Sequence, residues 1–345
     1  MARKHTINPA LSPLVNARHH TWKDYLEGIL TGDRRWLAQA ITLIESTLAN
    51  DQEKAIALMS HLPEVTHPSL RLAVSGAPGA GKSTLIEQMG LLDGAERKAV
   101  AVLAIDPSSS RSRGSLLGDK TRMERLVREP QTFIRPTPSR GHLGGVGANT
   151  RETISICEAA GFDHLYIETV GVGQSEFAAA GLSDLFILVL QPGAGDRLQG
   201  MKRGIVEMAD IVVVNKSDGA QEPLARKTLN EYEQALHLIH REQPAPVLLV
   251  SALEGRGIPE LRMHIHELLA KRKAEGSFQS RRKEQDLEWF QQSLKRQLLQ
   301  WILKDKSMRE DWKTMEDAVR SGSLPPVVAA ARYMESIRSL KPASG

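Results

Sequence analysis

The feature that most constrains this chain is one glycine-rich stretch, Gly76-Ala77-Pro78-Gly79-Ala80-Gly81-Lys82-Ser83. It fits the pattern G-x-x-x-x-G-K-[ST], in which glycines allow consecutive backbone N–H groups to point at phosphate oxygens. The apolar residues 72–74 before it predict a buried strand, and residues 84–89 after it have a helical composition. A strand, this loop and a helix N-terminus with partial positive charge are the context that the pattern requires. The sequence therefore predicts a loop that binds the phosphates of a nucleotide.

Two residues of this loop have expected roles of their own. We expect Lys82 to reach the β- and γ-phosphates, and the hydroxyl of Ser83 to bind Mg²⁺. The alternative is a glycine turn that matches by chance, and it is disfavoured because the flanking strand and helix agree with the pattern.

Apolar runs from residue 71 onward alternate with helical segments. The predicted strands are residues 72–74, 100–105, 132–134, 165–167, 185–190, 211–214 and 247–250. Such alternation is typical of an α/β fold with a mostly parallel sheet and helices on both faces. Because ligands bind at the carboxyl ends of parallel strands, we expect the polar motifs that follow these runs to meet at one edge.

Helical segments flank this region on both sides. Residues 21–62 carry an apolar stripe at helical spacing, formed by Leu37, Ile41, Ile44 and Leu48. A polar stretch at 271–280 is interpreted as a hinge or linker, and a second stripe follows it, formed by Leu287, Phe290, Leu294, Leu298 and Trp301. We therefore predict a helical N-terminal extension (1–66), a nucleotide-binding domain (67–270) and a helical C-terminal region (271–345). The last region is expected to pack on the domain or across a dimer.

Composition narrows the possible functions. No apolar run approaches the ~20 residues of a membrane helix, so no membrane partner is expected. Residues 1–22 carry no acid, as in an organelle transit peptide, but they show little amphipathic pattern and no apolar signal segment, so we expect a cytoplasmic protein. The only cysteine, Cys157, excludes a disulfide within the chain and a cysteine zinc site, and we interpret it as a core residue. Residues 271–345 hold 16 Lys/Arg and 10 Asp/Glu but lack the interleaved aromatic residues of a single-strand binder. Their charge indicates a solvated surface or a face for an acidic partner, and no nucleic acid is expected.

Acidic and amide side chains follow several predicted strands. Asp106 ends the second strand, where it can hold Mg²⁺ directly or through water, although Asp-Pro-Ser is also a common turn. Asp119 lies in the next loop and is either a second metal carboxylate or a helix N-cap. Glu168 follows the fourth strand, where a Walker-B-type acid belongs. Gln174 is a candidate for orienting the attacking water, with an exposed loop glutamine as the alternative.

The string Asn215-Lys216-Ser217-Asp218 follows the strand 211–214 and fits N-K-x-D. The Asp218 carboxylate can accept hydrogen bonds from the guanine N1–H and 2-amino groups, which adenine does not offer. A buried carboxylate left unpaired by adenine would cost ~1–3 kcal/mol, which discriminates strongly. Asn215 would brace neighbouring loops, and the stem of Lys216 would cover the base.

A small-residue turn, Ser251-Ala252-Leu253, follows the last strand and can give a backbone N–H to guanine O6. Together these motifs predict a guanine-nucleotide site that binds GTP and GDP. The residues expected to bind the nucleotide are Gly76, Gly79, Ala80, Gly81, Lys82, Ser83, Thr84, Asn215, Lys216, Asp218, Ser251, Ala252 and Leu253. Those expected to act in catalysis are Lys82, Glu168 and Gln174.

This set resembles the MeaB/ArgK-type GTPases, which are methylmalonyl-CoA mutase-associated G-protein chaperones of the SIMIBI class. The most specific matching string is Glu168-Thr169-Val170-Gly171-Val172-Gly173-Gln174-Ser175-Glu176. The other matching stretches are residues 37–46, 76–83, 105–109, 118–123, 134–139, 141–145, 193–196 and 215–218. Arg197 departs from the pattern, because relatives usually have an acid there; this charge reversal concerns the partner contact and not the nucleotide site.

The resemblance implies a P-loop GTPase that hydrolyses GTP to GDP with Mg²⁺, the metal being surrounded by Ser83, Asp106, Asp119 and Glu168. It implies nucleotide switches at about 106–120 and 170–176, and a third segment, 191–202, that reports the nucleotide state to a partner. That partner would be an adenosylcobalamin-dependent acyl-CoA mutase, with methylmalonyl-CoA mutase favoured. GTP would gate cofactor loading and the release of damaged cofactor, and C-terminal helices would join a homodimer.

Other function classes stay open at this point. A metallochaperone GTPase of the same class needs Cys/His clusters, for which one cysteine and His5, His19 and His20 are thin support. A P-loop kinase seldom needs the guanine selection that N-K-x-D provides. A scaffold that binds nucleotide without turnover is the third alternative, because no residue is an obvious arginine finger.

Overall fold

The computed structural model describes residues 20–106, 123–138, 149–169, 175–194, 203–238 and 244–339. The chain divides into two compact units, Met1–Arg281 and Arg282–Gly345. Asp119 and Gln174 of the predicted site, and Arg197 and Lys202 of the third segment, lie outside the described residues.

The first unit is built on seven parallel strands in the order β3-β2-β4-β1-β5-β6-β7. They are β1 (Leu70–Gly76), β2 (Val100–Asp106), β3 (Thr132–Pro138), β4 (His164–Thr169), β5 (Leu185–Leu190), β6 (Ile211–Val214) and β7 (Val247–Leu249). Each overlaps one predicted run, so the predicted α/β fold is confirmed. Strands β5 and β6 are buried at every position, because neither face of such a sheet meets water.

Helices precede, connect and follow these strands. In the first unit they are α1 (Trp22–Leu30), α2 (Arg34–Glu45), α3 (Ala49–Ser60), α4 (Lys82–Ala95), α5 (Glu124–Val127), α6 (Thr150–Ala159), α7 (Ser175–Ala180), α8 (Arg203–Met208), α9 (Glu222–Leu238) and α10 (Ile258–Ala274). Helix α11 (Ser277–Lys304) begins there, and α12 (Lys306–Arg320) and α13 (Pro326–Ser339) belong to the second unit. Within the described ranges, no helix is both long and apolar enough to cross a membrane.

The predicted apolar stripe of the N-terminal helices is confirmed in part. Leu37, Ile41 and Ile44 are buried on one face of α2. Leu48 is 67% exposed, so its assignment to this stripe was wrong. Helix α2 ends before Ser46, whose backbone is extended, and Leu48 is already the N-cap of α3. The 3.6-residue period therefore stops before it reaches Leu48.

Most of the stretch 271–280, interpreted as a hinge or linker, is helical, so a linker over its whole length was wrong. Helix α10 continues to Ala274 and α11 begins at Ser277, which leaves Glu275 and Gly276 between them. Lys, Arg, Glu and Gln have high helix propensity, so a polar composition alone does not interrupt a helix. Gly276 makes the break with a φ of +74°, a left-handed conformation that costs glycine little.

The core of each unit has its own aromatic and apolar contacts. Cys157 on α6 is fully buried, which confirms its interpretation as a core residue. In the second unit, Trp312 and Tyr333 meet edge to face at 5.3 Å, and the Tyr333 hydroxyl donates to the Met308 carbonyl at 3.0 Å. The stripe side chains of α11 are 45% to 61% exposed. This helix therefore presents an uncovered apolar face.

Candidate functional site

The glycine-rich loop leaves β1, the central strand, which pairs with β4 on one side and β5 on the other. Gly76 has a φ of +148°, and a Cβ built there would lie 2.0 Å from the carbonyl oxygen of Val189 on β5. Gly81 has a φ of +90°, and its Cβ would lie 2.3 Å from Nδ2 of Asn215. Only glycine fits at these two positions, because both the backbone conformation and the space exclude a side chain.

Helix α4 begins directly after this loop, with Lys82 at its first position. The Lys82 side chain is buried, and its Nζ donates to the carbonyl oxygens of Gly76 at 2.9 Å and Ala77 at 3.1 Å. The ammonium group thus lies over the curl of the loop, beside the N-terminus of α4. An anionic phosphate in that curl would meet the charge of Lys82 and the partial positive charge of the helix end together.

Ser83 and Glu168 meet next to the loop. The Ser83 hydroxyl donates to Oε1 of Glu168 at 2.7 Å, and Glu168 is buried at the end of β4. The pairing of β1 with β4 sets Val74 opposite Glu168 and so brings the carboxylate to the start of α4. A hydroxyl and a carboxylate are hard oxygen ligands of the kind that Mg²⁺ takes in proteins, so these residues fit that metal.

A second hydrogen bond fixes the same pair of strands. The Thr169 hydroxyl donates to the Ser75 hydroxyl at 2.8 Å, and both side chains are fully buried. No sequence pattern predicts this contact, because the two hydroxyl residues are 94 positions apart in the chain. This hydrogen bond holds Ser75, just before the glycine-rich loop, against Thr169, just after Glu168.

The other predicted metal ligands are less fully described. Asp106 is the last residue of β2, one position beyond Ile105, which is paired with Thr169 on β4. Its backbone therefore lies at the carboxyl edge of the sheet, on the side of β4 away from β1. Asp119 and Gln174 fall in ranges that the structure does not describe.

Asn215 joins the phosphate loop to the loop after β7. Its Nδ2 donates to the Ala80 carbonyl at 2.9 Å, and its Oδ1 accepts from the Ala252 N–H at 3.0 Å. The side chain is almost fully buried. One amide therefore fixes the distance between the predicted phosphate-binding and base-binding elements.

Asp218 and Ser251 are in contact at the mouth of the predicted base pocket. The Ser251 hydroxyl donates to Oδ2 of Asp218 and accepts from the Glu254 N–H at 3.2 Å. Lys216 is exposed and adopts a left-handed φ of +59°, which is uncommon for a residue with a side chain. In the 251–253 turn, Ala252 is buried and Leu253 is exposed. The structure thus brings the N-K-x-D string and the 251–253 turn together.

Arg256 also supports the base-binding loops, although it was not among the predicted site residues. Its Nη2 donates to the Ser217 carbonyl at 2.6 Å, and its backbone carbonyl accepts from the Ser251 N–H at 3.0 Å. It therefore ties the two base-side loops together from outside. An arginine between two glycines has no periodic pattern that would have indicated this role.

The buried surroundings of Cys157 exclude its thiol as a metal ligand or a nucleophile. Burial raises the pKa of the Cys157 thiol, with the charge of Glu158 adding to the effect. The thiol therefore stays neutral and is a poor metal ligand or nucleophile. Across the part of the chain that the structure describes, no group of three His, Cys, Asp or Glu side chains is placed to hold a metal ion.

Comparison with known proteins gives consistent matches over most of the chain. The family model described as methylmalonyl-CoA mutase-associated GTPase MeaB matches residues 37–307. A probable GTPase of Mycobacterium tuberculosis is 43% identical over 319 residues, covering 90% of this chain and 95% of that protein. The mitochondrial methylmalonic aciduria type A homologue of Mus musculus is 42% identical over 325 residues, covering 90% of this chain and 78% of that protein. A solved structure described as a LAO/AO transport system kinase is 33% identical, with a TM-score of 0.72 over 95% of this chain and 100% of that one.

Proposed function

Because this chain belongs to the family of methylmalonyl-CoA mutase-associated GTPases, we propose that it is the chaperone of an adenosylcobalamin-dependent acyl-CoA mutase. Methylmalonyl-CoA mutase is the favoured partner, since a relative named for methylmalonic aciduria aligns with 90% of the chain. The protein is a GTPase. In the proposed role, GTP binding and hydrolysis gate the loading of the cobalamin cofactor and the release of damaged cofactor.

One observation carries the nucleotide part of this proposal. Asn215 contacts the Ala80 carbonyl and the Ala252 N–H with the two ends of a single amide. The phosphate-binding and base-binding elements are therefore held at one spacing, as a site for a whole nucleotide requires. A loop that bound an isolated phosphate would not need this connection.

On the phosphate side, the residues act through charge and position. Lys82 supplies a cation to the transferring phosphoryl group, and Gln174 is proposed to orient the attacking water. Ser83 and Glu168, with Asp106 and Asp119, are the proposed Mg²⁺ ligands. Bound Mg²⁺ would neutralise charge that develops on the phosphates.

On the base side, the Asp218 carboxylate selects guanine by accepting from its N1–H and 2-amino groups. The hydrogen bond from Ser251 orients that carboxylate before the base arrives, so less conformational freedom is lost on binding. Arg256 supports the same arrangement through the Ser217 carbonyl.

The apolar face of α11 is proposed to join two copies of the chain. Its side chains repeat at helical spacing along the helix and are about half exposed. A contiguous exposed apolar patch of this kind marks an interaction site, and self-pairing about a two-fold axis is the commonest way to cover one.

The alternative functions have less support. A metal-delivery role lacks a ligand cluster in the described residues. One similar solved structure is described as a kinase, which is a statement about that protein. In this chain, the N-K-x-D string favours a guanine nucleotide. Replacing GTP by ATP in a binding titration separates a GTPase from a kinase, since we expect GTP alone to bind tightly.

The deciding experiment measures GTP turnover by the full chain with and without adenosylcobalamin-dependent methylmalonyl-CoA mutase. We expect the mutase to stimulate turnover several-fold, and the nucleotide state to change the rate at which adenosylcobalamin transfers to the mutase. Bovine serum albumin at the same concentration is the protein control. Turnover that the mutase leaves unchanged, together with no detectable complex, would refute the chaperone role and leave the GTPase activity intact.

A further inference from the structure

Two short helices of the first unit follow segments that, by the resemblance described above, are implied to respond to the bound nucleotide. Helix α7 (Ser175–Ala180) begins after the string at 168–174, and α8 (Arg203–Met208) begins after the segment 191–202. Both helices pack beside β5, and they also contact each other. A displacement of one can therefore reach the other directly, through the side chains at their contact.

That contact is formed by the ring of Phe177 and the backbone of Gly204. A Cβ built on Gly204 would lie 3.2 Å from Cζ and 3.4 Å from Cε1 of Phe177, so a side chain at position 204 would crowd the ring. Phe177 is nonetheless 45% exposed, whereas Ala179 and Ala180 of the same helix are buried. Core burial explains the alanines, but it does not explain a half-exposed aromatic ring at position 177.

The far end of α7 is held in place. Arg281 donates from Nη2 to the Ala180 carbonyl at 3.2 Å and from Nε to the Ser183 carbonyl at 3.1 Å. The near end follows Glu168, the acid that contacts the start of α4. Phe177 lies in the first turn of α7, at the end that is closer in sequence to the phosphate side. A change at Glu168 is therefore expected to move Phe177 more than it moves Ala180.

The segment 191–202 begins at a different kind of anchor. The Gly193 N–H donates to Oγ1 of Thr228 at 2.9 Å, and the buried Thr228 hydroxyl donates to the Leu224 carbonyl at 3.0 Å. Thr228 belongs to α9, the helix after the base-binding string. The segment therefore begins beside α9, which follows the base-binding string, and it is followed by α8, which contacts α7.

Building on the proposed function, we propose that Phe177 is the positioning residue that transmits the phosphate state of the nucleotide from α7 to α8. When α7 shifts, its ring presses on Gly204, and a backbone without a side chain has no rotamer change with which to absorb that displacement. By linkage, a partner that favours one position of α8 changes the nucleotide equilibrium by the same free energy. The ring has no role in holding the nucleotide, so nucleotide affinity should not depend on it.

The test compares backbone hydrogen exchange in the full chain with Mg²⁺ and either GDP or a non-hydrolysable GTP analogue. In the native protein, we expect exchange in both α7 and α8 to differ between the two nucleotides. Phe177→Ala should keep the difference in α7, reduce the difference in α8 about threefold or more, and leave both nucleotide affinities within about threefold. Met263→Ala removes an apolar side chain of similar exposure, 51%, from α10 and should leave both differences unchanged.

Two outcomes overturn this proposal: an α8 difference as large in Phe177→Ala as in the native protein, and a native protein whose α8 exchange is equal in both nucleotides. Phe177→Leu replaces the alanine variant if circular dichroism reveals loss of folding, because leucine stays apolar but is too short to cover Gly204. No mutase is present in this experiment. Its failure is therefore distinct from failure of the chaperone role, which is judged by mutase-stimulated turnover of the native protein.

Discussion

The hydroxyl of Ser83 donates a hydrogen bond of 2.7 Å to Oε1 of Glu168, although 85 positions separate the two residues in the chain. Ser83 lies at the start of α4 and Glu168 near the end of β4. The parallel pairing of β4 with β1 brings them to the same edge of the sheet. The central strand pair therefore holds two of the proposed Mg²⁺ ligands together, and the first prediction concerns one of them.

Ser83→Ala and Lys82→Ala should each remove most GTP hydrolysis while leaving the protein folded. The first change removes a proposed oxygen ligand of Mg²⁺, and the second removes the cation proposed to lie beside the transferring phosphoryl group. We expect turnover to fall by about 10²-fold or more, as for other losses of transition-state charge stabilisation. Phosphate release with Mg²⁺ measures the effect, and chelation of Mg²⁺ should lower native turnover in the same way.

The matched control for this prediction is Lys98→Ala, because Lys98 is a partly exposed lysine that lies just before β2, at the edge of the sheet opposite the loop. It should retain native turnover. Hydrolysis at the native rate by either loop variant would contradict the catalytic assignment of the loop.

Asp218→Asn should weaken GTP and GDP binding by at least tenfold, or ~1.4 kcal/mol. The amide keeps the shape of the carboxylate but turns one acceptor into a donor that faces the donors of guanine. Xanthine nucleotides should bind better to the variant, because xanthine offers an acceptor in place of the 2-amino group. Calorimetric titration with GDP and with xanthosine diphosphate measures both effects.

Glu233→Gln is the control for the base pocket, because Glu233 is exposed on α9 and lies outside both base-side loops. It should bind GDP like the native protein. If Asp218→Asn also binds GDP with unchanged affinity, Asp218 does not belong to the base pocket.

Lys202→Ala should separate intrinsic hydrolysis from its stimulation by the mutase. Lys202 is a charged residue of the segment 191–202, and no contact with the nucleotide is proposed for it. We expect GTP affinity and intrinsic turnover to stay within about threefold of native, and most of the stimulation to be lost. Lys227→Ala on the exposed surface of α9 is the matched control and should keep the stimulation. Equal stimulation in the Lys202 variant and the native protein would exclude the segment as the reporter.

Phe290→Glu and Leu294→Glu should convert the proposed dimer to a monomer. A carboxylate in the centre of an apolar face cannot be desolvated without a large cost, so pairing of two such faces is lost. Sedimentation velocity measures the oligomeric state. Gln292→Glu adds the same charge on the opposite side of α11 and should leave the dimer intact. A native protein that sediments as a monomer would refute the proposed pairing.

Tyr166→Phe should lower stability and change its dependence on pH. The Tyr166 hydroxyl donates to Oδ2 of the buried Asp93 at 2.6 Å. Arg262 and His164 contact the same carboxylate, at 3.2 Å and 2.8 Å. The lost hydrogen bond to a charged acceptor should cost about 1–3 kcal/mol in the free energy of unfolding at neutral pH.

Burial, and then the charge of Asp93, hold the pKa of Tyr166 well above its ordinary value of 10.0. A raised pKa in the folded state means that the phenol contributes its full stability below the unfolded value, near pH 10, and loses it as the pH rises further. The stability difference between native and Tyr166→Phe should therefore be constant from pH 7 to about 9 and shrink above about 10. Urea unfolding across this range measures it, and a difference that grows above pH 10 would contradict the assignment.

The strands, the phosphate-binding motif and the family can all be recognised from the amino-acid sequence. Buried parallel strands are short continuous apolar runs, and residues 185–190 and 211–214 can be recognised as such without a structure. The phosphate-binding loop and N-K-x-D depend on neighbouring residues, so their information is local. Local information also produced the two errors, because neither the exposure of Leu48 nor the helical state of 271–274 can be decided from composition.

Contacts between residues far apart in the chain become visible only in the folded structure. Ser83 meets Glu168, and Phe177 meets Gly204, because strand order and register place their elements side by side. The buried hydroxyl pair Thr169 and Ser75 depends on the same register. A shift of one position in a strand would turn each side chain to the other face. Such contacts follow from the packing of the whole sheet, and no pattern along the chain encodes them one by one.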